Sequence, residues 1–253
     1  MEHDYPSPLD QFLTLGEPSF GYQDWRDYPA EFGLAQEQAP ALIRMATDRA
    51  LLDAGLESVE PDSEPGPEEL AVYAPIHAWR ALGELRAVEA LDPLLTVFDD
   101  YANDDWVGED LPRVLGMLGP AAIPPLEARL RDPTRDIFVR MMACDGLQAV
   151  AQFHPAAAGR CVAILHRHLQ QFGAQDRVLN GNLIAALVEL NAAGALPTIA
   201  AAFQANAVDL TFIAWDDVID QFGDTARRLW PDYEELLATA EEWLEEMEVG
   251  NDK

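Results

Sequence analysis

The chain is 253 residues long, 49% hydrophobic and 24% charged, and carries 45 Asp and Glu against 16 Lys and Arg, a formal net charge of −29. That field repels duplex nucleic acid, whose binding depends on cations that neutralise phosphates, and it disfavours an anionic membrane surface. No apolar run reaches the roughly 18 residues of a membrane span. What the charge favours is a protein partner with a basic surface or a cation, set against a plainer role in solubility.

The N-terminus, MEHDYPSPLD, has neither a basic n-region nor an apolar h-region, so no signal peptide is expected and a cytoplasmic location is the default. The following PSPLDQFLTLGEPSFGYQDWRDYPAEFG is rich in Pro, Gly and aromatics with little helical period. It reads as an irregular cap that buries Phe12, Phe20, Trp25 and Phe32. Residues 34–54 read as a helix broken or started at Pro40. The segment ESVEPDSEPGPEE, 57–69, has Val59 as its one apolar residue and reads as a mobile acidic loop. Residues 1–70 thus form an N-terminal cap.

YAPIHAWRALGEL opens the regular part. His77 and Arg80 stand at i and i+3 and share a helix face. They are candidates for an anion or peptide contact, unless that face closes over the N-terminal segment. Next comes FDDYANDDWVGEDLP, residues 98–112, in which six of fifteen positions are acidic. Asp104 or Asp105 suits a helix N-cap, and acids in a first turn complement the helix dipole. Asp99, Asp100, Asp104 and Asp105 form a candidate rim for a basic partner. No EF-hand pattern aligns there, and no metal site is assigned. Val107, Leu111, Val114, Leu115 and Leu118 then mark one helical face, with Pro112 expected to kink or start that helix.

Four segments align. They begin ALGELRAVEALDP at Ala81, VLGMLGPAAIPP at Val114, GLQAVAQFHP at Gly146 and ALVELNAAGALP at Ala186. Each is an apolar helix end, a short turn, and a second apolar stretch with Pro near its start. The marker residues Leu82, Leu115, Leu147 and Leu187 are spaced by 33, 32 and 40 residues. Such a period belongs to helix-pair units, each too small to bury its own apolar face. The segment LGMLGPAAIPPLEARLRDPTRDIFVRMMACDGL, with Arg131-Asp132-Pro133 and Val139-Arg140 in signature positions, resembles HEAT repeats of the short phycobilisome-lyase type. Bacterial HEAT-like proteins of unassigned function are similar. The resemblance covers roughly residues 70–225 and implies a structural role for Arg140 between adjacent units. It also implies that second helices line a concave face.

Residues 129–177 hold seven Arg against four Asp, the one long basic window. Arg160 and Arg167, at i and i+7, share a stripe and are candidates for an acidic peptide or carboxylate. His166 and His168, at i and i+2, diverge and cannot share a metal. Cys144 and Cys161 sit in apolar helical patterns as small buried hydrophobes. Asp216, Asp217, Asp220 and Asp224 with Trp215 read as a solvated acidic helix. The segment after Pro231 reads as an acidic capping helix. All four Ser (7, 19, 58 and 63) precede the repeats, and no phosphate loop or HExxH motif occurs. No catalytic residue and no cofactor are assigned.

The expectation is an all-α, armadillo-type α-solenoid of about five HEAT-like pairs over residues 71–228, with caps at 1–70 and 229–253. Its expected function is a non-enzymatic scaffold or adaptor that binds another protein. The resemblance leaves open a chromophore-lyase-like or other enzyme that uses the concave groove. The charge leaves open an acidic nucleic-acid mimic that inhibits a DNA-binding protein.

Overall fold

A computed structural model describes residues 4–55 and 66–233. Among these residues every regular element is helical and no strand occurs. The chain divides into two compact units, Met1–Leu165 and His166–Lys253.

In the first unit an irregular start carries a 3₁₀ turn at Leu9–Thr14. The helices α1 (Tyr28–Phe32), α2 (Ala39–Ala46), α3 (Arg49–Gly55), α4 (Pro67–Ala71) and α5 (Ala74–Leu85) follow. Then come α6 (Leu91–Asp100), α7 (Asp105–Leu118), α8 (Ile123–Arg131) and α9 (Ile137–Phe153), and the unit ends within α10 (Pro155–Leu169). The expected single helix over 34–54 is two, α2 and α3, with Pro40 inside the first turn of α2. The acidic loop ends earlier than expected. Residues 56–65 lie outside the described part, but Pro67 already opens α4, where the Glu69 carboxylate accepts the Gly66 N–H.

Helix α5 packs against α2 and α7, α7 against α9, and α8 against α9. The predicted face of α7 is its buried face: Val107, Leu111, Val114, Leu115 and Leu118 are all inside. Asp104 caps α7 by accepting the Val107 N–H at 2.9 Å, and Pro112 lies inside the helix. Burying one such aliphatic side chain contributes about 1.5–3 kcal/mol, so this row holds α7 in place. Helix α5 is buried almost all round, with every residue from Ala74 to Gly83 inside. A helix with no solvent face must satisfy its polar side chains internally, and α5 carries His77 and Arg80.

The second unit contains α11 (Arg177–Glu189), α12 (Leu196–Gln204), α13 (Trp215–Phe222) and α14 (Asp224–Arg227). Asp176 caps α11 through the Val178 N–H. The four marker leucines, Leu82, Leu115, Leu147 and Leu187, are all 0% exposed. Three helix ends share one turn chemistry. In α5, Ala87 N–H reaches Leu82 O and Arg86 N–H reaches Gly83 O. Ala192 and Asn191 repeat this after α11, and Ala207 and Asn206 after α12. This Schellman geometry needs a left-handed residue, supplied by Arg86 (φ 53), Asn191 (φ 52) and Asn206 (φ 52). Of the expected capping helix, residues 234–253 lie outside the described part.

Candidate functional site

The polar face of α5 closes over the N-terminal segment. The His77 Nε2–H donates to Gly16 O at 2.9 Å. Burial keeps the ring neutral, and since a carbonyl only accepts, Nε2 carries the proton and Nδ1 accepts from the Tyr28 hydroxyl at 2.7 Å. Burial pushes the His77 imidazole down to about 4 and the Tyr28 phenol up to about 12. One turn on, Arg80 grips Asp110 side-on, with Nε to Oδ2 at 2.5 Å and Nη2 to Oδ1 at 3.1 Å. The Trp79 indole N–H donates to the same carboxylate at 3.1 Å, and Arg80 Nη2 also donates to Ser19 O at 3.1 Å. Both charged side chains are 1% exposed. Burial raises the Asp110 carboxyl, while Arg80 and Trp79 pull against it.

Aromatic rings roof this centre. The Arg80 guanidinium lies 4.7 Å from the Trp25 ring and 5.5 Å from the Trp106 ring. Phe20 stacks on Trp106 at 3.9 Å. Arg113 sits between Tyr22, at 3.3 Å, and Phe153, at 4.9 Å. The expected burial of the cap aromatics holds for Phe12 and not for Phe20, which is 55% exposed. One face of Phe20 covers Trp106 and the other meets solvent. Trp25 and Phe32 are half-buried.

Beside the roof opens a cleft of about 390 Å³. The N-terminal segment lines it with Trp25, Arg26, Asp27 and Pro29, the end of α5 with Glu84 and Arg86, and α7 and α9 with Met117 and Phe153. Glu84 accepts the Tyr28 N–H at 2.9 Å. Burial, with Asp27 adding to it, pushes its carboxyl up to about 7 from 4.5, against the Tyr28 bond and Arg80. The folded state therefore holds this proton more tightly than the unfolded chain, and the resulting stability is lost as pH rises from about 4.5 through about 7. Gln keeps the acceptor and never ionises. Glu84→Gln should raise stability by about 1 kcal/mol after solvent screening near pH 8 and change it little near pH 4.5. Thermal unfolding at both pH values checks this; an equal shift at the two would refute it.

The other candidates are dispersed. Asp99 on α6 accepts from Arg129 Nε at 2.8 Å and Nη2 at 2.7 Å, and from Arg135 Nη1 at 2.8 Å. Asp100 pairs with Arg49. Asp104 is the α7 cap, and Asp105 is exposed in its first turn. The acidic rim is thus partly neutralised within the chain. Asp110, from the same acidic stretch, is not on the surface at all, because Arg80 draws it inside. His77 and Arg80 are equally internal, and a partner would touch neither side chain in this conformation. Arg160 and Arg167 are exposed on α10. Arg140 Nε donates to Leu130 O on the preceding helix. His166 Nε2 meets Thr198 Oγ1 at 2.9 Å, and His168 is buried. Cys144 and Cys161 are buried, and burial raises both thiols, Cys161 to about 11. Asp216, Asp217 and Asp220 are exposed on α13, while Trp215 is 1% exposed. No group of three or more metal-ligating side chains gathers among the described residues, and no helix among them is long and apolar enough to cross a membrane.

The family model described as "Protein of unknown function (DUF1186)" matches residues 76–244, two thirds of the chain, and the chain belongs to that family. The match starts at the buried face of α5. No curated protein and no solved structure matches.

Proposed function

We propose that this member of the DUF1186 family is a HEAT-like helical-repeat adaptor that binds a protein with a basic surface. The observation that carries the reading is the division of labour among its polar groups. Four side chains of the first unit with shifted protonation, His77, Asp110, Cys144 and Cys161, are buried inside the fold, while Glu84, also shifted, is half-buried and bonded to the Tyr28 N–H. The surface keeps a large excess of carboxylates. The helix pairs, their buried marker leucines and their shared Schellman turns support the repeat assignment. On α7, Asp105 and Glu109 stand at i and i+4 and are both exposed, so a cationic partner meets them together.

The test is an affinity capture with the full chain, followed by cross-linking of the purified pair. A stoichiometric basic partner is expected, released by raised salt and weakened roughly tenfold by Asp105→Asn with Glu109→Gln. A partner indifferent to both salt and the α7 acids would overturn the reading, as would a chain that retains only a small molecule.

A further inference from the structure

We propose that the cleft beside the N-terminal segment binds a small carboxylate with a flat aromatic body. The proposal goes beyond the adaptor reading and does not depend on it.

The volume, about 390 Å³, falls within the range of small-ligand pockets. Its walls are flat and held in place before any ligand arrives. Trp25 is backed by the Arg80 guanidinium, Phe153 by that of Arg113, and Met117 completes the apolar lining. An aromatic ring between such walls gains offset or edge contacts without ordering loose side chains.

The charge at the mouth selects the head group. Of the ionic groups around the cleft, Arg26 is paired with Glu31. The Asp27 carboxylate accepts the Ala30 N–H as the α1 cap, and Glu84 accepts the Tyr28 N–H. Arg86 is left: exposed, with no acceptor for its guanidinium among the described residues. Its backbone is the exception in the fold. The same turn position holds Asn191 after α11 and Asn206 after α12. Gly and Asn enter the left-handed region readily, and an arginine there is strained. Strained residues cluster at active sites and ligand clamps, and Arg86 lines the mouth of this cleft. A planar guanidinium matches a carboxylate through two parallel hydrogen bonds. A cationic head group would meet Arg86 and find the Asp27 and Glu84 carboxyl groups already accepting backbone N–H bonds. A dianion would find one free cation among two carboxyl groups.

Calorimetric titration of the full chain tests this. Indole-3-acetate is the probe, with indole-3-acetamide and acetate as controls for the charge and the ring. A peptide ending in free or amidated Phe tells a partner's C-terminus from a free acid. Indole-3-acetate or the free-ended peptide should bind at or below about 1 mM, with each control at least roughly tenfold weaker. Arg86→Asn should abolish the binding while melting at the same or a higher temperature, because Asn suits φ 53. Unfolding therefore cannot imitate the loss. If no carboxylate binds in that range, or if Arg86→Asn binds as well as the parent, the assignment is wrong.

Discussion

Asp110→Ala should lower the free energy of unfolding by about 3–5 kcal/mol, because it leaves the Arg80 guanidinium charged, buried and without its carboxylate. The Trp79 N–H loses its acceptor in the same change. Domains are stable by only about 5–15 kcal/mol, so the variant would sit near the edge of folding. Urea unfolding followed by circular dichroism measures the loss. Arg80→Met combined with Asp110→Leu should recover much of it, since an apolar pair of similar volume needs no desolvated charge. It should not recover all of it, because Trp79 stays without a partner. A loss below about 1 kcal/mol for Asp110→Ala would mean that water reaches Arg80, and the closed roof described above would be wrong.

Gly116→Ala should cost about 1–3 kcal/mol or more, a large effect for one methyl group. A Cβ at Gly116 would stand 2.4 Å from Ala149 Cβ, 2.8 Å from Ala149 C and 3.0 Å from Val150 N. Backbone cannot step aside as a long side chain can, so α7 and α9 must separate, and the packed row from Val107 to Leu118 loosens with them. Adding Ala149→Gly removes the nearest atom and should restore part of the stability while the backbone clash remains. At Gly108, where an added Cβ meets nothing within 4 Å, the same substitution should be harmless or favourable, because Ala is the better helix former. Equal melting temperatures for Gly116→Ala and the parent would sink the close α7–α9 contact.

The sequence made the helix faces legible because burial imposes a period. The α7 row, the four marker leucines and the prolines that open second helices all follow from the 3.6-residue repeat and the missing proline N–H. The Asp104 cap was readable for a similar local reason. The Arg80–Asp110 pair was not. A period tells which face is buried, not which residue 30 positions away shares it, and Asp110 lay hidden in a run of acids that reads as solvated surface. The repeat register does contain the missing signal. Asp110 precedes Leu115 by five residues, as His77 precedes Leu82 and Asn182 precedes Leu187. All three are buried polar side chains, and Met142, five before Leu147, is buried as well, so the position five before a marker leucine faces inward whatever residue fills it. The exposure of Phe20 and the strained Arg86 turn depend on tertiary contacts and backbone angles, which no composition or period encodes.

The tie between the N-terminal segment and the buried centre has a consequence for synthesis. Tyr28, Ser19 and Gly16 are held by His77 and Arg80, 49 to 61 positions later, and the Arg80 charge is matched by Asp110, a further 30 on. At about 5–20 residues per second, the nascent chain carries Phe12, Phe20, Trp25 and Tyr28 for several seconds before α5 and α7 exist to receive them. Through that interval the most aromatic stretch of the protein is its stickiest and least protected. Its acidic neighbours, Asp10, Glu17, Asp24, Asp27 and Glu31, place a charge within a few residues of every one of those rings. In the folded state they surround the cap; on the ribosome the same carboxylates act as gatekeepers that keep unfinished copies apart.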